Sequence, residues 1–218
     1  MSRSLNSKDW LRRHLNDPYV KRATKDGYRS RAAYKLLEID AEDKLLKPGM
    51  TVVDLGAAPG GWSQVAAAKT GAVNTAGQSR GRVVAIDLLA MPEVPGVTFI
   101  QADFSEQAGL QALVDALDGR AVDLVLSDMA PNLTGIALTD QTRMFALAEL
   151  AGEFCREYLK PKGNFLIKVF QGSDYPGYIK TLRTLFERVD VKKPDASRSE
   201  SNELYLLAKG KKPEVGVN

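Results

Sequence analysis

Ten residues restrict what this chain can fold into more than any others: Val53-Asp54-Leu55-Gly56-Ala57-Ala58-Pro59-Gly60-Gly61-Trp62. The run entering them, Met50-Thr51-Val52-Val53, is short, apolar, partly β-branched and flanked by Pro48-Gly49, which is the pattern of a buried strand. It breaks into small residues and glycines, and the helix-compatible Ser63-Gln64-Val65-Ala66-Ala67-Ala68 follows. A strand, a glycine turn and a helix N-terminus in succession open an α/β sheet built to hold a nucleotide-like ligand. A side chain at Gly56 or Gly60 would occupy the space through which the backbone approaches that ligand.

The ligand class can be narrowed from the residues around the turn. No Gly-Lys-Ser/Thr is present, which disfavours a phosphate-wrapping P-loop, and the spacing Gly56-xxx-Gly60-Gly61 misses the dinucleotide fingerprint. Asp54 precedes the glycines, and Asp87 ends the next apolar run, Val83-Val84-Ala85-Ile86. Two carboxylates beside the cleft repel a pyrophosphate but suit an ammonium group and a ribose diol. S-adenosyl-L-methionine has both and carries no phosphate. A nicotinamide dehydrogenase on a similar sheet is a poor match for the same reason.

Strand patterns recur at 51–55, 82–86, 97–101, 122–127, 163–169 and 203–208, with a weaker one at 188–192. Helical patterns occupy 30–39, 61–69, 106–117, 139–159 and 174–187. This alternation predicts an α/β fold, a Rossmann-like and mostly parallel seven-stranded sheet with helices on both faces. The close spacing of the last two strands allows an antiparallel strand at one edge. Chemistry in such sheets gathers beyond the carboxyl ends of the strands. Standing there are Asp54 with the glycine turn, Asp87, Asp103-Phe104 (an acid for an adenine amino group beside a ring that could pack on it), and Asp128-Met129-Ala130-Pro131-Asn132. Lys168 lies inside the apolar Phe165-Leu166-Ile167-Lys168-Val169-Phe170, where a lysine costs desolvation energy unless it is paired or neutral. Read structurally, Lys168 would be a snorkelling edge lysine and Asp128 a capping carboxylate.

Charge is distributed unevenly. Residues 1–35 hold ten Lys/Arg against three Asp, a net +7, so the remainder of this +3 chain carries −4. A basic arm over 1–35 leading into the first helix is an electrostatic footprint for nucleic acid, with Lys21, Arg22, Arg29 and Arg31 as candidate phosphate contacts. Trp10, Tyr19 and Tyr28 are interleaved and could stack on unpaired bases, or could dock on the body instead. The body is expected at 36–213, and the tail at 214–218 is expected to fray. At 218 residues with 44% hydrophobic content the chain can bury a full core as one domain. No apolar run approaches the ~20 residues a membrane span needs. Cys155 is the one cysteine and His14 the one histidine, so a disulfide, a histidine metal site and a Ser-His-Asp triad are all poorly supported. The expected setting is a cytoplasmic monomer that needs no metal.

Taken together, Asp54-Leu-Gly-Ala-Ala-Pro-Gly-Gly-Trp-Ser-Gln, Ser127-Asp-Met-Ala-Pro-Asn, Lys168-Val-Phe-Gln-Gly and Ser30-Arg-Ala-Ala-Tyr-Lys resemble the FtsJ/RrmJ (RlmE) family of ribose 2'-O-methyltransferases, from about Lys8 to Pro213. The resemblance implies S-adenosyl-L-methionine as cofactor, held by Asp54, Gly56, Ala57, Pro59, Gly60, Gly61, Trp62, Asp87, Asp103, Phe104 and Asp128. It implies a catalytic Lys-Asp-Lys-Glu tetrad at Lys35, Asp128, Lys168 and Glu203. For bacterial members it implies a uridine 2'-hydroxyl in the A-loop of 23S rRNA, within the large ribosomal subunit. Lys168 would take the hydroxyl proton, with Lys35 as a neighbouring cation, Asp128 orienting the amine and Glu203 holding the pair. The arm begins almost at Met1, which leaves no room for a transit peptide and favours a bacterial, cytoplasmic member. Two segments depart from the family pattern: the loop near 71–80 is longer, and Ser199-Glu200-Ser201-Asn202 is less basic. A tRNA or mRNA-cap ribose methyltransferase remains the rival within the family, and a non-catalytic RNA-binding module the rival outside it.

Overall fold

Every residue of Thr51–Leu55 is buried, and that strand lies in the interior of the sheet, paired on both sides. The computed structural model describes residues 16–73, 81–131, 134–198 and 201–213. Trp10, His14 and the basic residues before position 16, most of the 71–80 loop, Asn132, Ser199-Glu200 and the 214–218 tail lie outside them. In chain order the elements are α1 (Pro18–Asp26), α2 (Ala32–Asp43), β1 (Thr51–Leu55), α3 (Gly61–Thr70), β2 (Arg82–Asp87), β3 (Val97–Gln101) and α4 (Gln107–Leu117). Then follow β4 (Val122–Ser127), α5 (Ala137–Tyr158), β5 (Leu159–Phe170), α6 (Tyr175–Leu185), β6 (Phe186–Lys192) and β7 (Glu203–Lys211).

The seven strands form one sheet in the order β3-β2-β1-β4-β5-β7-β6. β1 to β5 run parallel, and β7 runs antiparallel to both of its neighbours. The hairpin expected at the edge is present, but its reversed strand, β7, lies one place in, and β6 takes the edge itself. Successive strand residues face opposite sides. Val53, Val84, Val125, Phe165 and Leu206 pack with residues of α4, α5 and α6 on one face. Val52, Val83, Leu126, Leu166 and Tyr205 pack with residues of α2 and α3 on the other. Strand order reverses direction between β1 and β4, so the crevice of the sheet opens there, with Leu55 opposite Ser127 and the Asp128 amide donating to the Leu55 carbonyl at 3.2 Å.

α1 begins at Pro18, capped by the Asp17 carboxylate on the Tyr19 amide at 2.9 Å, and ends at Gly27 in the left-handed region. It docks on α2 through Tyr34, whose ring lies 5.6 Å from Tyr19 and 5.7 Å from Tyr28. The two described arm tyrosines are therefore packed rather than presented for stacking. Among the described residues no helix is long and apolar enough to cross a membrane.

Candidate active site

The glycine turn hangs from β2. The amides of Gly56 and Ala57 both donate to the Ile86 carbonyl, at 2.9 and 3.2 Å, and the Ala58 amide donates to the Asp87 carboxylate at 2.8 Å. Gly56 has φ +75°, and a Cβ there would lie 2.6 Å from Met129 Cγ and 2.8 Å from Met129 Cα. Only glycine fits between the turn and the segment after β4. Asp87 Oδ1 also accepts from the Leu89 amide at 2.8 Å, so both of its oxygens brace backbone while each keeps lone-pair capacity for a ligand. Asp54 lies beneath the turn and is completely buried. Its Oδ2 accepts from the Ser63 hydroxyl at 2.6 Å, and its Oδ1 has no partner. Burial pushes the Asp54 carboxyl up to about 7; the Ser63 hydrogen bond opposes that, and the nearby charges of Asp128 and Asp87 add to it. A glycine cradle with Asp87 and Asp128 beside it, and Asp54 beneath it with an unsatisfied buried oxygen, fits a cationic ligand that carries a diol. Because Asp54 has no open surface, its effect on such a ligand is through the field rather than by direct contact.

Beyond the carboxyl ends of β4 and β5 the four residues singled out by sequence come together as two ion pairs. Lys168 Nζ donates to the Asp128 carbonyl at 2.6 Å and lies 3.1 Å from Asp128 Oδ1. Lys35, on α2, pairs with Glu203 at the start of β7. The pairs are joined by Tyr205: Lys35 Nζ donates to its hydroxyl at 3.0 Å, and that hydroxyl donates to Asp128 Oδ1 at 3.0 Å. Strand period explains the convergence. Lys168 sits opposite Tyr205 in the β5–β7 register, and Glu203 is two residues before Tyr205, so all three project from the face that α2 covers. Burial, then the negative charges of Asp128 and Glu203, push the Tyr205 phenol far above its usual range, so it remains a donor to Asp128. Asp128 meets the Lys168 amine, as expected of the residue that orients it, while Glu203 pairs with Lys35 alone rather than with both lysines.

A family model described as FtsJ-like methyltransferase matches residues 28–211, a span that contains the turn and both ion pairs. The chain belongs to this family. Among its FtsJ-like relatives, the ribosomal RNA large subunit methyltransferase E of Chromobacterium violaceum is 56% identical over 212 residues, covering 97% of this chain and 100% of the relative. The protein of the same description from Methylobacillus flagellatus is 57% identical, covering 95% and 97%. A solved Plasmodium falciparum structure, described as that of a ribosomal RNA methyltransferase, superposes with a TM-score of 0.73 at 28% identity, over 84% of this chain and 98% of that one. The FtsJ-like fold and the enzyme class, a methyltransferase, follow from these matches.

Several residues chosen from sequence have other duties in this FtsJ-like chain. Trp62 is 2% exposed, its indole N–H donates to the Ala32 carbonyl at 2.8 Å, and its ring lies 5.7 Å from Tyr205. Its side chain therefore supports the site from below, which leaves its backbone, in the first turn of α3, as the part that faces the cradle. Phe104 is also buried, edge-on to Phe154 at 5.9 Å. Asp103 Oδ1 accepts from the Ser105 amide and hydroxyl, at 2.8 and 2.6 Å, which orients the carboxylate and leaves Oδ2 for a ligand. Arg31, expected at an RNA phosphate, instead pairs with Asp17 and donates to the Ala196 carbonyl. Arg29 donates to backbone carbonyls at 92 and 93. Both guanidinium groups are engaged within the fold, Arg31 in a part-buried pair and Arg29 on exposed carbonyls of a neighbouring segment. Lys21 and Arg22 remain exposed on α1, with Arg22 over the Tyr34 ring at 4.6 Å. Sequence reasoning missed Tyr205 and Ser63. The spacing Glu203-x-Tyr205 in an alternating strand was the available signal for the first.

Proposed function

We propose that the protein transfers a methyl group from S-adenosyl-L-methionine to the ribose 2'-hydroxyl of a uridine in large-subunit ribosomal RNA, the A-loop of 23S rRNA, in the cytoplasm. The observation that carries this reading is the Lys168–Asp128 pair, nearly buried beside the glycine turn at the sheet's crevice. The relatives described as large subunit methyltransferases support the choice of RNA. Gly56, Ala57, Pro59, Gly60 and Gly61 form the cradle, Asp87 takes the ribose hydroxyls, Asp103 the adenine amino group, and Asp54 and Asp128 favour the cationic end. When bound, the cofactor supplies an electrophilic methyl group. A sugar hydroxyl is a weak nucleophile at neutral pH, so its proton must be removed as the oxygen attacks. Lys168 accepts it, its amine held in place by the Asp128 carbonyl and carboxylate. Lys35, anchored by Glu203 and Tyr205, stabilises negative charge developing on the oxygen. Lys21 and Arg22 meet RNA phosphates.

The test is single-turnover methyl transfer to large-subunit particles at saturating cofactor. Lys168→Ala should lose roughly 10²–10⁴ in rate while binding the cofactor normally. Lys168→Arg should not recover it, because a guanidinium stays protonated. Near-normal turnover by Lys168→Arg would withdraw the general-base role. Mapping ribose methylation in RNA from cells lacking the protein identifies the nucleotide, and a change confined to tRNA or mRNA would overturn the ribosomal assignment.

A further inference from the structure

The segment between Asp87 and β3 lies against the glycine turn, with Met91 and Val94 beside Gly60, and few contacts hold it. Residues 88–94 adopt no helix or strand, and Leu88 and Leu89 are 62% and 68% exposed. Val94 is its buried anchor. The Leu89 amide donates to Asp87 and the Gln101 side chain to the Leu88 carbonyl, at 2.8 and 3.3 Å, and a further anchor, at the far end of the segment, comes from the arm. Arg29 donates through Nη1 to the Pro92 carbonyl at 2.5 Å and to the Pro59 carbonyl at 3.4 Å, and through Nη2 to the Glu93 carbonyl at 2.5 Å. One guanidinium thus spans the glycine turn and this segment. Its stem is equally engaged: a Cβ placed on Gly60 would lie 3.1 Å from Val94 Cγ2, 3.2 Å from Arg29 Cδ and 3.2 Å from Met91 Sδ. The backbone beneath is tied as well. Gln64, one turn into the helix that the glycine turn opens, accepts from the Arg29 amide at 2.9 Å and donates to the Gly27 carbonyl at 3.0 Å.

We propose that Arg29 is a positioning residue of the cofactor pocket, clamping residues 91–94 against the glycine turn so that cofactor affinity depends on how the arm is docked. This rests on the reading of the crevice as a cofactor site. Three backbone carbonyls converge on a planar fork, and a lysine ammonium on a flexible stem cannot reproduce that fork. Without the clamp the segment must be ordered when the cofactor binds, and that ordering weakens affinity without touching the reacting groups. The arm, if RNA engages it, then has a direct mechanical connection to the pocket. By linkage, whatever RNA does to cofactor affinity, cofactor does equally to RNA affinity, and Arg29 carries that coupling.

The test is calorimetric titration of the RNA-free, full-length protein with S-adenosylmethionine and with S-adenosylhomocysteine, followed by single-turnover rates as a function of cofactor concentration. Arg29→Ala should raise Kd about tenfold for both ligands, raise the half-saturating cofactor concentration in parallel, and leave the rate at saturation close to wild type. Arg29→Lys should recover only part of the affinity. Gln64→Ala, which frees the arm backbone but keeps the guanidinium, should shift Kd the same way by less, and carries the test together with Arg29→Lys if Arg29→Ala does not fold. The joint replacement Lys21→Ala/Arg22→Ala should weaken RNA binding and leave cofactor Kd unchanged. A folded Arg29→Ala protein with wild-type cofactor Kd and weaker, less salt-sensitive RNA binding would overturn the proposal and return Arg29 to the phosphates. Absence of cofactor binding by the wild type would instead sink the functional reading beneath it.

Discussion

At the scale of single residues, the hydroxyl of Tyr205 and the carboxyl of Asp54 each carry a measurable consequence. Tyr205→Phe removes the group that accepts from Lys35 and donates to Asp128 but keeps the ring against Trp62. One hydrogen bond of this kind contributes ~0.5–1.5 kcal/mol net, so turnover should fall about three- to tenfold with cofactor Kd unchanged. Steady-state and single-turnover assays check this, and full activity would reduce Tyr205 to packing. Asp54, held up to about 7 by burial, binds a proton across a range in which the unfolded chain has released it. The unfolded state therefore binds fewer protons between about pH 4 and pH 7, and stability falls as pH rises through that window. The full effect is at most about 4 kcal/mol. Asp54→Asn keeps an acceptor for Ser63 and removes the titration. Its melting temperature should gain on the wild type from pH 5 to pH 8, and a pH-independent difference would show that Asp54 does not titrate there.

At the scale of elements, the arm is held to the body by a buried staple. Asp17 caps α1, pairs with Arg31 and lies 3.5 Å from Arg198, while Arg31 also reaches the Ala196 carbonyl. Removing Arg31 leaves a nearly buried carboxylate with a poorer partner, at a cost of about 1–3 kcal/mol. Arg31→Ala should therefore speed tryptic cleavage at Lys21 and Lys25 well before global unfolding, read by limited proteolysis. An unchanged cleavage rate would mean that the tyrosine cluster alone secures α1. Element boundaries show the limits of local pattern. β5 begins at Leu159, four residues before the apolar run, because Leu159 pairs with Val122 across an irregularity ending at Leu124. Lys160-Pro161-Lys162-Gly163 have no register partners in β4 and form the irregularity itself, with Lys162 at φ +67°.

At the scale of the whole molecule, the charge asymmetry survives folding in altered form. Of the candidate phosphate contacts, Arg29 and Arg31 are engaged internally, and the exposed side of α1 retains Lys21, Arg22 and Lys25. Neutralising Lys21 and Arg22 together should lower the slope of log affinity against log salt by up to about two for RNA binding. Filter binding over a range of salt concentrations measures the slope, and an unaltered value would move the RNA surface away from α1.

The sequence alone determined the sheet, the glycine turn, and the acids and lysines at the strand ends. These depend on hydrophobic period and on residue types that local backbone geometry demands. The family resemblance named Lys35, Asp128, Lys168 and Glu203 together, and the fold brings them into two ion pairs. Contacts that cross many residues were decided only by the tertiary structure. The β5–β7 register puts Tyr205 opposite Lys168 and so between the two ion pairs. The docking of α1 draws Arg29 and Arg31 from solvent onto carbonyls 63 and 165 residues away. The packing of α2 on the sheet turns Trp62 inward, to a carbonyl 30 residues back. A charged or aromatic residue in sequence carries no record of which face it will meet. That is set when the sheet closes and every buried donor must find an acceptor.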